Sequence, residues 1–198
     1  MNYLGHALLS MGDEELLVGN MIGDYVKGMK ALEQYPEGIR KGILLHRKID
    51  SFTDLDASSL RAQVWFRPDY GLYASPIIDT LFDHYLATDP HYFRSEKDLL
   101  GFSQDVYKIL DKHQSYFPEK FAMMFPYMRE HNWLYNYRTM VGARRSLQGL
   151  HRRAQHMPTI DEAYNTFVTR YYELAQCYYE FMEKAYKFVN AELKENTP

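Results

Sequence analysis

Residues 42–54 combine histidine and aspartate at a spacing that suits a metal ion. His46, Asp50 and Asp54 stand four residues apart. Each step of four drifts only about 40° around a helix, so the three side chains share one stripe. Imidazole and carboxylate groups together suit a divalent cation. Two helices of this kind facing each other would form a hydrolytic metal site, and a second one carries Asp79, Asp83 and His84.

Three further polar residues interrupt apolar segments nearer the N-terminus. Asn20 and Asp24 are four apart in LLVGNMIGDYVKG, and His6 lies in the short opening segment NYLGHALLS. Each has an ordinary explanation, since His6 suits a hydrogen-bonded core position and Asp24 a solvated helix position. Burying carboxylates is costly, however, unless they are paired or bound to a cation. The combination therefore favours a metal site over independent structural roles.

Basic residues accompany these motifs. Arg47 follows His46 directly and is the best candidate to bind a phosphate oxygen beside a metal, because its guanidinium is a planar fork of donors. The alternative to this role is an ordinary surface ion pair between Arg47 and Asp50. Other basic side chains form either a solvated face or a rim that docks an acidic macromolecule. The candidates for that rim are Lys27, Lys30, Lys48, Arg144 and Arg145.

Composition limits the class of protein. The chain has 198 residues, a net charge of −3 and 46% hydrophobic residues, which fits one globular domain and excludes wholesale disorder. The lack of a basic excess argues against a nucleic-acid binder. One cysteine excludes an internal disulfide framework and fits a reducing compartment. With no leader-like start and no membrane-length apolar run, we expect a cytoplasmic protein without membrane attachment.

The hydrophobic pattern is helical almost throughout, which predicts one all-α domain over residues 1–198, a helical bundle. The last residues, KENTP, are expected to fray. Phosphate-loop, G-x-G-x-x-G, G-x-S-x-G and C-x-x-C motifs are absent, so nucleotide motors and covalent serine or cysteine catalysis have little support. The main helices are expected at roughly residues 15–28, 36–53, 58–66, 76–89, 99–113, 119–130, 133–154 and 159–192.

Four blocks, MNYLGH, GNMIGDYVKG, GILLHRKIDSFTD and DTLFDHYL, resemble in order and spacing the signature of the bacterial acyl carrier protein phosphodiesterase family. The resemblance implies an all-helical, divergent relative of the HD-domain metal phosphohydrolases. It also implies hydrolysis of the 4′-phosphopantetheine arm from holo acyl carrier protein, a small acidic partner. Manganese is the cofactor that the family implies, with Mg²⁺ or another divalent ion as the alternative.

The resemblance also implies roles for individual residues. A standard HD domain has an adjacent His-Asp pair, whereas here the only such pair is reversed, as Asp83-His84. The expected metal ligands are Asp24, His46, Asp50, Asp83 and His84. The expected catalytic residues are Asp24, Asp50, Arg47 and Asp54, with His6, Asn20 and Asp79 in support.

Two other functions stay open at this point. One is a related metal phosphohydrolase that acts on a nucleotide or alarmone, which would need an aromatic slot for a base. The other is a non-catalytic helical binding protein, whose acidic and histidine residues only form buried networks. The second alternative predicts that removing metal changes nothing.

Overall fold

A computed structural model of the chain describes residues 1–195, with side chains described as far as Lys194. Every regular element in this range is helical, which confirms the all-α prediction. Two of the KENTP residues are thus described and the other three are not. The α-helices are α1 Tyr3–Leu8, α2 Glu14–Ile22, α3 Glu37–Leu55, α4 Ala57–Gln63, α5 Arg67–Tyr70, α6 Ala74–Thr88, α7 Glu96–Lys112, α8 Glu119–Glu130, α9 Trp133–Asn136, α10 Met140–Arg153, α11 Asp161–Thr169 and α12 Tyr171–Glu195. Short 3₁₀ turns cover Gly23–Tyr25, Lys30–Gln34, Gly71–Tyr73 and Gln114–Tyr116.

The most extensive helix contact joins α2 and α3. The two backbones approach closely where Gly19 meets Gly42. A Cβ added to Gly42 would lie 2.3 Å from the carbonyl oxygen of Leu16, and one added to Gly19 would lie 2.0 Å from that of Ile39. Only glycine permits this separation. The crossing brings Asn20 of α2 beside the face of α3 that carries His46.

Helix α6 forms the centre of the core. Its residues from Ile77 to Ala87 are almost all buried, and the helix packs against α1, α4, α10 and α12. A helix that is apolar on most sides belongs in a core. The polar side chains of this helix are therefore enclosed, and each needs partners. It ends at Thr88, as the Asp89-Pro90 pair predicts.

Three predicted segments differ from the structure. Helix α2 ends at Ile22, not at Gly28, because the chain tightens into a 3₁₀ turn in which Val26 N–H donates to the Gly23 carbonyl. Residues 133–154 form two helices, since Thr139 leaves helical geometry and caps Gly142 N–H. Residues 159–192 also form two helices, which are separated at Arg170.

The abundant aromatic residues are mostly structural. Tyr178 and Phe181 of α12 pack on Phe82 of α6, with ring centroids 5.8 Å and 5.3 Å away. Cys177 is buried in the same helix, as expected for a small core residue. Among residues 1–195, no helix combines the length and the apolar character needed to cross a membrane.

Candidate metal centre

Two histidines and one aspartate converge between α1 and α3. His6 of α1 and His46 of α3 stack with ring centroids 4.0 Å apart, and Asp50 lies one turn after His46. One ligand atom from each of the three residues falls within 4.8 Å of the others. The histidines are buried, with side chains 3% and 6% exposed, whereas Asp50 is 38% exposed. The cluster is thus reachable from solvent through its carboxylate.

A single buried residue, Asn20, orients both imidazole rings, one through its side-chain amide and the other through its backbone carbonyl. Its Nδ2 donates to the His6 carbonyl at 2.8 Å and to Ser10 Oγ at 3.2 Å, which identifies Oδ1 as an acceptor. His6 Nδ1 lies 2.7 Å from that Oδ1, and His46 Nδ1 lies 2.8 Å from the Asn20 backbone oxygen. Both Nδ1 atoms therefore carry the proton in the neutral rings, and both Nε2 atoms present a lone pair.

The two Nε2 atoms face carboxylate oxygens. Asp50 Oδ1 lies 3.1 Å from His6 Nε2, and Asp50 Oδ2 lies 3.1 Å from His46 Nε2. Asp24 Oδ1 is 3.4 Å from His46 Nε2. His46 Nε2 is buried, and no hydrogen bond of acceptable geometry reaches it. Lone pairs and carboxylates in this arrangement repel one another unless a cation lies between them. The donor set fits a divalent metal ion.

The pKa values of the cluster show the same demand for positive charge. Burial lowers the pKa of His46, but Asp24 and Asp50 outweigh it and raise that pKa to about 9. Burial and the neighbouring His46 lower the pKa of His6 to about 4. Burial disfavours the charged form of Asp50, yet the two imidazoles hold its pKa far below the ordinary value. Without metal and near neutral pH, the stacked pair therefore carries one positive charge, on His46.

Asp24 enters this group from the 3₁₀ turn after α2. Its side chain is 64% exposed, and the neighbouring His46 lowers its pKa. Gly23 makes the approach possible, because a Cβ there would lie 2.3 Å from the His46 ring. Arg47 holds the following segment, since it donates to the carbonyls of Val26 at 2.8 Å and Gly28 at 3.1 Å. Its guanidinium is thus used by the backbone of the turn.

The Asp83-His84 pair lies outside the three-residue group. Asp83 accepts hydrogen bonds from the backbone N–H groups of Leu4 at 2.8 Å and Gly5 at 3.1 Å, so it caps the first turn of α1. Burial raises its pKa to about 7. His84 Nδ1 lies 2.8 Å from the Tyr137 carbonyl and Nε2 lies 2.9 Å from Tyr171 Oη. Both of its ring nitrogens are satisfied within the protein.

The other two predicted aspartates also have protein partners. Asp79 accepts a hydrogen bond from the Met1 amino group at 2.7 Å. Asp54 is exposed on α3 and accepts from Ser75 Oγ at 2.6 Å. The structure therefore brings His6, His46, Asp50 and Asp24 together. Asp79 and Asp54 are not part of this cluster and are paired with other groups of the protein.

The basic residues of the predicted rim have different surroundings. Lys27 and Lys30 are exposed, close along the chain to Asp24, and Lys27 lines a pocket of about 340 Å³ that Tyr25 also lines. Lys48 pairs with Glu192. On α10, Arg144 pairs with Asp161 at 3.4 Å, and Arg145 is exposed.

The fold and the site together define the class: an all-helical protein with a candidate metal centre, the His6, His46 and Asp50 cluster between α1 and α3. Comparison with known proteins gives the family: the model for acyl carrier protein phosphodiesterase matches residues 1–185, and the chain belongs to this family. The family places it among the hydrolases. The resemblance found in the four sequence blocks is confirmed.

Individual relatives agree with this assignment. The acyl carrier protein phosphodiesterase of Enterobacter sp. (strain 638) is 28% identical, and the match covers 86% of this chain and 88% of the relative. Those of Klebsiella pneumoniae (strain 342) and Yersinia pestis are 29% and 28% identical, each over 88% of this chain and 90% of the relative. No solved structure matches the chain.

Proposed function

We propose that this chain is a metal-dependent phosphodiesterase that hydrolyses holo acyl carrier protein to the apo protein and 4′-phosphopantetheine. The observation that carries the metal dependence is His46 Nε2, a buried ring nitrogen that has no hydrogen bond of acceptable geometry and lies between Asp50 and Asp24, where a positive charge is needed. The names of the relatives supply the carrier protein as substrate.

The proposed ligands are His6, His46, Asp50 and Asp24. Nitrogen and carboxylate donors together suit Mn²⁺ better than Mg²⁺, which prefers an all-oxygen shell. When bound, such an ion would polarise the phosphoryl group and lower the pKa of water toward neutrality. Asp83 and His84 are left out of this set because their polar atoms are already satisfied.

The chain's own groups then act as follows. Asn20 holds both rings in the tautomer that presents Nε2. Asp24 is the exposed carboxylate of the cluster, so it is placed to orient a water molecule and accept its proton. Attack by that water at phosphorus breaks the bond to the carrier's serine oxygen. The serine oxygen leaves and takes up the proton that Asp24 accepted from the water, and the phosphate stays on the pantetheine.

The partner and the compartment form part of the proposal. An acidic carrier would meet the exposed Lys27 and Lys30 near the mouth of the cluster. Nucleic acid is not expected as a ligand at a net charge of −3. A single cysteine is typical of the reducing cytoplasm.

The test is mass spectrometry of holo acyl carrier protein after incubation with the purified protein. We expect loss of the phosphopantetheine mass with Mn²⁺ and no loss with excess EDTA. His46→Ala should abolish the reaction. His91→Ala, which removes an exposed histidine that is not a proposed ligand, should not. Activity that survives EDTA would refute metal dependence. An unchanged holo mass alongside hydrolysis of a nucleotide would favour the nucleotide alternative.

A further inference from the structure

A second group of polar side chains, none of them a proposed metal ligand, lies toward the candidate metal centre. It consists of Tyr3, Tyr25 and Arg153. Tyr3 Oη lies 2.7 Å from Tyr25 Oη, and Arg153 Nη1 donates to Tyr3 Oη at 3.4 Å. Both hydroxyls also lie 3.4 Å from Met124 Sδ. These contacts join α1, the turn after α2 and the end of α10.

The tyrosines come from the same two elements as the proposed ligands. Tyr3 stands three residues before His6 on α1, so the two side chains share one side of that helix. Tyr25 follows Asp24 directly in the turn Gly23–Tyr25. The charge of Asp24 acts on the Tyr3 phenol, so the hydroxyl pair lies toward the Asp24 side of the cluster.

Arg153 is a charge without a counter-ion. No carboxylate of the described residues lies within 4.0 Å of its guanidinium, and its one hydrogen bond is the long contact with Tyr3. A guanidinium has five N–H donors, so four of them remain to be satisfied by solvent or by a ligand. Burial raises the pKa of the Tyr3 phenol well above its ordinary value, so this neighbour stays neutral and gives Arg153 no negative charge.

Arg47, which the sequence favours for phosphate binding, is differently placed. Its guanidinium already donates to the carbonyls of Val26 and Gly28. A phosphodiester bound at the cluster would meet the carboxylates of Asp24 and Asp50, which repel it. Donors on the remaining side are needed to hold its non-bridging oxygens.

We propose that Arg153 binds a non-bridging phosphoryl oxygen of the substrate beside the metal centre, together with the hydroxyls of Tyr3 and Tyr25. This inference rests on the proposed phosphodiesterase function for its substrate. The recognised group is a phosphoryl oxygen, so inorganic phosphate is a sufficient probe. The guanidinium fork, together with the one phenolic proton that the Tyr3–Tyr25 hydrogen bond leaves over, matches lone pairs of such an oxyanion.

The experiment measures binding of inorganic phosphate to the Mn²⁺-loaded protein by isothermal titration calorimetry. Arg153→Gln should weaken phosphate binding by about 10- to 100-fold, the value of a charged hydrogen bond. Arg152→Gln is the matched control, since it removes the same charge from an equally exposed arginine that makes no hydrogen bond to Tyr3 or Tyr25, and it should stay within about twofold. Tyr3→Phe should show a smaller loss in the same direction.

Several outcomes would overturn the proposal. Phosphate affinity of Arg153→Gln equal to that of Arg152→Gln would do so, as would failure of the wild-type protein to bind phosphate. Weaker Mn²⁺ binding in Arg153→Gln would show a structural role instead. Arg153→Lys keeps the charge but loses the fork, and it decides the question if the Gln variant is unfolded.

The same variants separate this inference from the proposed function. Wild-type protein that binds phosphate through Arg153 but leaves holo carrier protein intact would refute the carrier reaction and keep the anion site. Wild-type protein that converts the carrier, with Arg153→Gln retaining its kcat/KM, would keep the function and refute the anion site.

Discussion

At the scale of single residues, one buried residue, Asn20, orients both histidines of the candidate metal centre. Asn20 is fully buried and fixes His6 through its amide oxygen, while its backbone oxygen fixes His46. Partners that orient metal-binding histidines commonly change metal affinity by a large factor when they are lost. The arrangement explains why an uncharged residue interrupts the apolar surface of α2.

Asn20→Ala is therefore expected to weaken Mn²⁺ binding by about 10- to 100-fold. The variant keeps the backbone oxygen that orients His46 but releases His6. Isothermal titration calorimetry with Mn²⁺ measures the effect, and Asn165→Ala on the exposed side of α11 is the control. Unchanged affinity in Asn20→Ala would show that the rings are held by other contacts.

Asp83 gives a second prediction, on stability. Burial raises its pKa from 3.8 to about 7, so between these values the folded protein holds a proton that the unfolded chain has lost. Stability then falls as the pH rises through this window. Compared with Asp83→Asn, the metal-free wild-type protein should lose more than about 1 kcal/mol of unfolding free energy between pH 5 and pH 8.

Urea unfolding of both proteins in EDTA at the two pH values measures this difference. Other titrating groups are common to both proteins and cancel in the comparison. A difference that stays constant with pH would show that Asp83 is already ionised at pH 5.

Residue types were more readable from the sequence than residue roles. The pattern at His46 and Asp50 predicts that their side chains share a face, and the two do so. Spacing alone could not show that the nitrogens of His84 are used by Tyr137 and Tyr171, because those partners are distant in sequence. The sequence shows Arg153 only as one of several arginines on a basic helix, and it does not reveal which guanidinium lacks an acidic partner.

At the scale of elements, the position of the centre follows from the crossing of α2 and α3. Gly42 permits it, and its hypothetical Cβ would meet a backbone oxygen at 2.3 Å, which cannot move aside cheaply. Gly42→Ala should destabilise the protein by about 1 to 3 kcal/mol through overpacking. Gly101→Ala on α7 is the control, because nothing lies within 4 Å of the added Cβ and alanine favours the helix.

Urea unfolding measures both glycine variants. Gly101→Ala is expected to be neutral or to stabilise the protein by up to about 1 kcal/mol. Equal effects of the two substitutions would mean that the α2–α3 distance adjusts freely.

Most helices were predictable from the sequence, but only some of their ends were. Helix α8 has the predicted bounds, Glu119–Glu130, because Pro118 marks its start. The end of α2 was missed because the chain turns at Gly23 against the ring of His46, a contact across 23 residues that local pattern does not contain. That missed turn is what moves Asp24 off the helix and toward the cluster.

At the scale of the whole molecule, the proposed function requires an acidic protein to attract an acidic carrier protein. The net charge is −3, so attraction has to come from local charge, and Lys27 and Lys30 are exposed and form no ion pair with the side chains described, those of residues 1–194. Charges of this kind act mainly on encounter with the partner and are screened by salt. Experiments should therefore be able to distinguish the role of the candidate metal centre in the reaction from the role of Lys27 and Lys30 in attracting the partner.

Lys27→Glu/Lys30→Glu is expected to raise KM for holo carrier protein by about tenfold at low salt, with little change in kcat. A small diester such as bis(p-nitrophenyl) phosphate should be hydrolysed as by the wild type, because it makes no contact with the rim. Lys97→Glu/Lys108→Glu, at two exposed lysines on α7, makes the same change in net charge and is the control. The defect should shrink as salt is added, since screening removes an attraction that the variant already lacks. If both substrates are affected equally, the lysines act on the chemistry of the site and the docking surface lies elsewhere.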